Sequence, residues 1–342
     1  MATLELRGIQ KQYGSIHAVD GIDLAIAEGE FLAILGPSGC GKTTLMRMIA
    51  GLELPSAGEV LIGGQAVTHL PPRARNVSMV FQSYALYPHM SVAQNIAFPL
   101  KARGMRRAQR DAKVKWAAGL MGIEALMKRR PARLSGGEKQ KVALARSLVR
   151  DPALFIFDEP LSSLDAQVRT MARSELRQLH DRTAVTTVYV THDQLEALGM
   201  GDRIAIMQRG RVRQLGTPQE LYDNPADTFV AGFLGSPPMN LLERDGRIIG
   251  FRPEHLLPVP VTADGGALYL RMHITQLEFL GAEWLVYGQL RNGAISQKLL
   301  AKVPPAVAAM LCVDETRDFA VSPERLRFFD SATGLRVDDA RH

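Results

Sequence analysis

The sequence predicts an α/β domain followed by a small all-β domain. Three observations carry that expectation. Short apolar runs of the buried-strand kind, at 31–35, 154–157 and 186–190, are separated by stretches with helical periodicity. The first of these runs ends in a glycine-rich loop, and a helical pattern follows it directly. Near Gly235-Ser-Pro-Pro238 the composition shifts: long helical patterns stop, and short strands with Gly and Pro turns take over.

Taken in order, Leu4, Leu6 and Ile9 predict a strand before Gly14, and the alternation of Ile22, Leu24 and Ile26 predicts another before Gly29. Residues 43–50 predict a helix and 59–62 a strand. From 91 to 127 the pattern is helical, interrupted at Arg103-Gly104-Met105 and at Gly119. Lys128-Arg-Arg-Pro131 ends it, because a proline disfavours helix at the residue before it. A further helix runs from near Gly137 to about 149. Residues 203–208 and 212–215 flank Gly210 and predict a hairpin. The domain boundary falls at the composition shift, giving domains 1–235 and 236–342. In the second, strands at 268–274, 284–290 and 319–321 predict a small β-barrel.

A chain of 342 residues is long enough for two such domains. The net charge is +6; residues 236–342 carry 12 Lys and Arg against 13 Asp and Glu, so the first 235 residues hold the whole basic excess, +7. An excess placed there suits an anionic ligand, an anionic lipid surface or nucleic acid, and its densest run is 101–115. The near-neutral second domain argues against nucleic acid as its partner. No run approaches the ~18 apolar residues of a membrane span, and 31–35 is too short for a secretory core, so the protein is expected in the cytoplasm. Cys40 and Cys312, the only cysteines, make neither a disulfide framework nor a metal site.

Two motifs carry phosphate chemistry. Gly36-Pro37-Ser38-Gly39-Cys40-Gly41-Lys42-Thr43, followed by Thr44, fits the phosphate-loop pattern in its confirming context, a strand before and a helix after. Glycines let backbone N–H groups curl around phosphate oxygens, the helix start adds positive potential, Lys42 would bridge the β- and γ-phosphates, and the Thr43 hydroxyl would ligate magnesium. The run 154–157 then delivers Asp158 and Glu159 at a strand's carboxyl end. Asp158 is expected to hold magnesium, and Glu159 to orient or deprotonate an attacking water. A third motif, Leu134-Ser135-Gly136-Gly137-Glu138, is a Ser-capped helix start and therefore a second anion site. One nucleotide does not need two such sites on one chain, so this one is expected to serve a neighbouring copy's ATP.

The order of these motifs, over roughly residues 4–235, resembles the nucleotide-binding subunit of an ATP-binding-cassette transporter. The resemblance implies a phosphate-loop NTPase cassette, with a RecA-like core and antiparallel β and helical subdomains, followed by an oligonucleotide-binding-like barrel. It also implies two cassettes paired head to tail as a homodimer. Each ATP would lie between the phosphate loop of one copy and Ser135, Gly136, Gly137 and Glu138 of the other. Residue by residue, Tyr13 resembles the aromatic that stacks on adenine. Gln82 resembles the glutamine that touches magnesium and faces the membrane subunit. Ser163-Leu164-Asp165 resembles the segment that communicates across the dimer, and His192 the histidine that contacts the γ-phosphate. Glu138 departs from the family's usual Gln. Within the family, Tyr84-Ala-Leu-Tyr-Pro-His-Met-Ser-Val92, Gly235-Ser-Pro-Pro-Met-Asn240 and Phe251-Arg-Pro-Glu-His255 resemble the importers of carbohydrates and related solutes, first the branch for sn-glycerol-3-phosphate and next those for maltose and other sugars. Two integral membrane permease subunits, an external solute-binding protein acting indirectly, and a peripheral place at the cytoplasmic face of the inner membrane follow from that resemblance. The short interval between Asn240 and Phe251 implies a trimmed barrel. A cassette acting on ribosomes or DNA, and a GTP-binding switch, are the rival readings; the chain shows no second cassette and no Asn-Lys-x-Asp segment.

Overall fold

The computed structural model describes residues 2–81, 84–162, 164–244, 246–259, 267–292 and 295–338. The chain divides into two compact units, Met1–Pro218 and Gln219–His342. The division lies ahead of the composition shift and places two short helices with the second unit.

The first unit opens with β1 (Leu4–Tyr13) and β2 (Ile16–Ile26), an antiparallel pair, then β3 (Phe31–Leu35) and α1 (Lys42–Ala50). Next come β4 (Ala57–Ile62), β5 (Gln65–Ala66) and β6 (Val77–Val80), then α2 (Val92–Ala102), α3 (Arg107–Met121) and α4 (Gly136–Leu148). The unit continues through β7 (Leu154–Asp158), α5 (Ala166–Thr183), β8 (Thr186–Thr191), α6 (Gln194–Met200) and the hairpin β9 (Arg203–Gln208) and β10 (Arg211–Gly216). One sheet has the order β2-β1-β4-β5 and the other β10-β9-β3-β8-β7-β6. In the second sheet every pairing from β9 to β6 is parallel.

Parallel strands covered on both faces bury apolar residues on both, and the central positions of these strands do so. Phe31, Phe155, Phe157 and Tyr189 face a core shared with α2 to α5. Their neighbours Leu32, Ile34, Ile156, Val188 and Val190 face the opposite core, shared with α1 and the first sheet. The helical stretch 91–127 is two helices, not one pattern broken twice. The break at 103–105 is real, but Gly119 lies inside α3, which ends on the left-handed Gly122. Strand β6 and helix α6 are too short to stand out as patterns in the sequence alone, whereas α5 carries Val168, Ala172, Leu176 and Leu179 at helical spacing, a signal that the sequence reading passed over.

The second unit contains α7 (Pro218–Asp223, whose first residue closes the first unit), α8 (Thr228–Phe233), β11 (Asn240–Arg244), β12 (Arg247–Phe251), β13 (Leu257–Pro258), β14 (Leu268–Phe279), β15 (Trp284–Asn292), β16 (Ile295–Val303), α9 (Pro305–Ala308), β17 (Thr316–Val321), β18 (Arg327–Asp330) and β19 (Arg336–Val337). They form two antiparallel sheets, β11-β12-β18-β19 and β13-β17-β14-β15-β16, around a core that includes Phe251, Met272, Val286, Ala301 and Phe319. Arg244, the last residue of β11, pairs with Arg247, the first of β12, in keeping with the short interval noted in the sequence. Arg252 is almost fully buried here. Its guanidinium lies 3.9 Å from the Tyr222 ring centroid and donates to the carbonyls of Tyr222, Ala231 and Leu234. Among the described residues no helix is long and apolar enough to cross a membrane.

Candidate functional site

The parallel sheet decides which functional residues meet. Leu35 pairs with Thr191 and Asp158 with Val190, so β3, β7 and β8 end at nearly the same level. The residues that leave those strands, from Gly36, Glu159 and His192 onward, therefore gather along one carboxyl edge, where open α/β sheets bind ligands.

The loop after β3 is built by its glycines. A Cβ on Gly36 would overlap the Met207 carbonyl oxygen, and one on Gly41, at φ 106°, would overlap that of Ala18. Gly41 is also the N-cap of α1, which has neither a side-chain cap nor an acidic residue in its first turn. Its first-turn N–H groups and positive end therefore face the loop. Pro37, Ser38 and Gly39 are exposed, while Thr43 and Thr44 are half-buried at the helix start. Lys42 is buried with its ammonium folded into the loop, donating to the carbonyls of Gly36 (2.7 Å) and Pro37 (3.0 Å). Cys40 is buried beneath the loop, and burial pushes its thiol up despite the neighbouring Lys42.

Asp158 is half-buried at the end of β7, and burial, then the adjacent Glu159, raises its carboxyl above the ordinary value against the pull of Arg47 and Lys42. A cation placed beside this carboxylate would lower it again. Glu159 has φ 45°, a left-handed conformation uncommon for a residue with a Cβ, and its N–H donates to the Val190 carbonyl at 2.9 Å. This turns its carboxylate toward His192, whose Nδ1 lies 3.0 Å from Glu159 Oε2. A carboxylate and an imidazole in contact beside a phosphate-sized loop are placed to orient a water and to meet a terminal phosphate.

Ser135 to Glu138 stand on other contacts. Ser135 caps α4 by accepting from the Glu138 N–H (3.2 Å), and Glu138 returns the bond to the Ser135 N–H (2.7 Å), a closed capping box. The glycines between them let the helix start lie close: a Cβ on Gly136 would come within 3.0 Å of Leu164, and one on Gly137 within 3.3 Å of Val168. Asp165 caps α5, accepting from the Val168 N–H at 2.9 Å. Tyr13, at the end of β1, is 46% exposed, with the Lys11 ammonium 5.0 Å from its ring centroid. Gln82 and Ser163 lie outside the described residues.

Four residues around His192 escaped the sequence reading: Arg169, Thr191, Asp193 and Glu196. A signal was available, since Asp193 followed three residues later by Glu196 has capping-box spacing. Asp193 does cap α6, but Glu196 turns inward instead, accepting from Tyr189 (2.8 Å) and Thr191 (2.7 Å).

Comparison with known proteins bears on this arrangement. Residues 19–162 match the family model described as ABC transporter. The sn-glycerol-3-phosphate import ATP-binding protein of Burkholderia thailandensis is 44% identical over 370 residues, covering 98% of this chain and 100% of the relative. Its counterpart in Cupriavidus metallidurans is 44% identical over 374 residues, covering 99% of each chain. Both alignments are longer than this chain, so the relatives carry residues that it lacks. Among solved structures, a dimeric ATP-binding cassette in a post-hydrolysis state bound to ADP and Pi matches with TM-score 0.56 and 30% identity, over 63% of this chain and 98% of that one. CbiO1 from Clostridium perfringens, part of an ABC transporter complex, matches with TM-score 0.60 and 29% identity, over 64% of this chain and 89% of that one. With relatives so similar over nearly its whole length, and a nucleotide loop, acidic pair and capped Ser-Gly-Gly helix on one cassette fold, the chain belongs to the ABC transporter family as an ATP-hydrolysing cassette subunit.

Proposed function

We propose that this subunit drives the import of sn-glycerol-3-phosphate, acting as a homodimer on the cytoplasmic face of the membrane with two permease subunits and, through them, an external solute-binding protein. The observation that carries the solute is the 44% identity to import proteins for that compound over essentially the full length of both chains. The observation that carries the chemistry is the Glu159–His192 contact at the carboxyl edge of the sheet.

In the mechanism, the loop 36–44 binds the phosphates of ATP, with Tyr13 against the adenine. The Lys42 ammonium exchanges its two loop carbonyls for phosphate oxygens, so the loop carries its own counter-charge into the site. The Thr43 hydroxyl and the Asp158 carboxylate are hard oxygen donors, the set that magnesium prefers when phosphates and waters complete its shell, and Gln82 would join them. When bound, magnesium neutralises charge on the β- and γ-phosphates. Glu159 accepts a proton from, or orients, the attacking water, and His192 holds the γ-phosphate. The Ser135 hydroxyl accepts within its own helix cap and keeps its proton to donate to the partner's nucleotide, beside the N–H groups of Gly136 and Gly137. Glu138 supports that geometry through the capping box, and Asp165 faces the partner copy. Catalysis of this kind is positioning and electrostatics.

The test is ATPase activity of the complex reconstituted with its solute-binding protein. sn-Glycerol-3-phosphate is expected to stimulate turnover at micromolar concentration while maltose leaves it at the basal rate; stimulation by maltose or another neutral sugar alone would replace the assigned solute.

A further inference from the structure

His192 is flanked by two residues that are held from opposite sides. On the strand side, Glu196 is 2% exposed and accepts from the Tyr189 and Thr191 hydroxyls, and Thr191 Oγ1 in turn accepts from the Asp193 N–H at 2.9 Å. These bonds tie the end of β8 to α6 across His192. On the other side, Asp193 divides its carboxylate. Oδ1 caps α6 through the N–H groups of Leu195 and Glu196 (2.8 and 3.4 Å), while Oδ2 lies 3.4 Å from Arg169 Nη1. The same guanidinium donates through Nη2 to the Leu164 carbonyl at 3.0 Å, one residue before the Asp165 cap of α5. One side chain thus bridges the segment leading into α5 and the residue that follows His192. Arg169 Nε is buried and has no hydrogen-bond partner among the described residues. An unused donor beside two made bonds leaves the guanidinium a second way to be satisfied if Leu164 moves.

We propose that Arg169 and Asp193 are positioning residues. They transmit the placement of the segment around Leu164 and Asp165 to His192, so that the γ-phosphate contact beside Glu159 forms fully only when that segment is docked against a second copy. This rests on the reading above, in which Asp165 faces the partner and His192 meets the γ-phosphate. Displacement of the Leu164 carbonyl pulls Arg169, alters the restraint on Asp193 Oδ2, and shifts the backbone on the α6 side of His192. Glu196 keeps the β8 side fixed, so the displacement appears as a change in the direction of the imidazole. A purely structural ion pair at this partly exposed site would add little stability and leave turnover alone.

The experiment measures kcat, KM for ATP and Tm of the full chain under conditions where it hydrolyses ATP. The variants are Arg169→Gln, Arg169→Lys, Asp193→Asn (which keeps the α6 cap), the Arg169→Gln/Asp193→Asn double, and His192→Ala with and without Arg169→Gln. Each single change in the link is expected to lower kcat about 10-fold with KM and Tm nearly unchanged, and the double to fall no further than its worse member, the mark of residues acting as a unit. Arg169→Lys keeps the charge but cannot span both acceptors, and is expected to lose activity like Arg169→Gln while remaining folded. Arg169→Gln is expected to change little in the His192→Ala background. Wild-type turnover by Arg169→Lys, multiplicative losses in the double, or an undiminished loss when His192 is already absent would overturn the link. Full turnover by His192→Ala alone would instead remove the assignment of His192, and the link with it.

Discussion

At the scale of single residues, the site combines groups whose environments push them in different directions. Glu159 sits in a left-handed backbone conformation that aims its carboxylate at His192. Replacing it with Gln keeps the shape and removes the proposed base. Glu159→Gln is expected to bind ATP with unchanged affinity and to hydrolyse it at least about 100-fold more slowly, the usual range for a lost general base; near-normal single-turnover rates would exclude that role. Glu196 offers a pH prediction. Burial, first, and Asp193 raise its carboxyl, while the hydrogen bonds from Thr191 and Tyr189 and the charge of Arg169 lower it, with a net upward shift. A carboxyl raised in the folded state holds its proton there after the unfolded chain has lost it. Its contribution to stability therefore falls as pH rises from the ordinary glutamate value of 4.5 through the raised one. Glu196→Gln, which can still accept both hydroxyls, is expected to gain in Tm relative to the parent on going from pH 5 to pH 8, and a constant difference would contradict it. Cys40 completes this scale. The thiol in the nucleotide loop would block ATP if alkylated, but it is buried and pushed up, whereas Cys312 is exposed. Mass spectrometry of a limited alkylation at neutral pH is expected to find Cys312 modified well before Cys40.

At the scale of elements, the same device recurs at helix starts, with Ser91, Ser135, Asp165, Asp193 and Asp227 each bonding a backbone N–H of its own first turn. The start of α1 lacks that device, because Gly41 offers no side-chain cap, and it is the start assigned to the phosphates. The capped start of α4 is different again: its serine is bonded within the helix yet keeps a hydroxyl proton. Ser135→Ala is expected to cost about 1 kcal/mol as a lost cap. Ser135→Arg is expected to abolish hydrolysis while each chain still binds one nucleotide, which equilibrium binding beside an ATPase assay would separate. The glutamate at 138, unusual for the family, closes the capping box in the role a glutamine would fill, so Glu138→Gln is expected to leave both stability and turnover close to the parent. The starts of α1, α2 and α4 were legible because caps and glycines are local signals. Strand β6 and helix α6 were not, because they are too short for a periodic pattern and take their order from the sheet and the cores they cover; α5, with Val168, Ala172, Leu176 and Leu179 at helical spacing, offered a signal that went unread.

At the scale of the whole molecule, each unit has a core of its own, and the loop, the acidic pair, His192 and the Ser135 helix all belong to the first. A chain ending at Pro218 is therefore expected to fold and to bind ATP within a few-fold of the full chain, measurable by calorimetric titration. The sequence by itself determined the loop 36–43, the acidic pair at 158–159, the Ser135 helix start, the two-part architecture and the family, because each rests on residues close together in the chain or on the order of such groups. Only the tertiary structure decided that Glu159 meets His192, that Gly136 and Gly137 make room for Leu164 and Val168, and that Arg169 spans Leu164 and Asp193. Those contacts join residues from different strands and helices, and their distances depend on strand order, register and the packing of both cores. No local run of the sequence encodes these quantities.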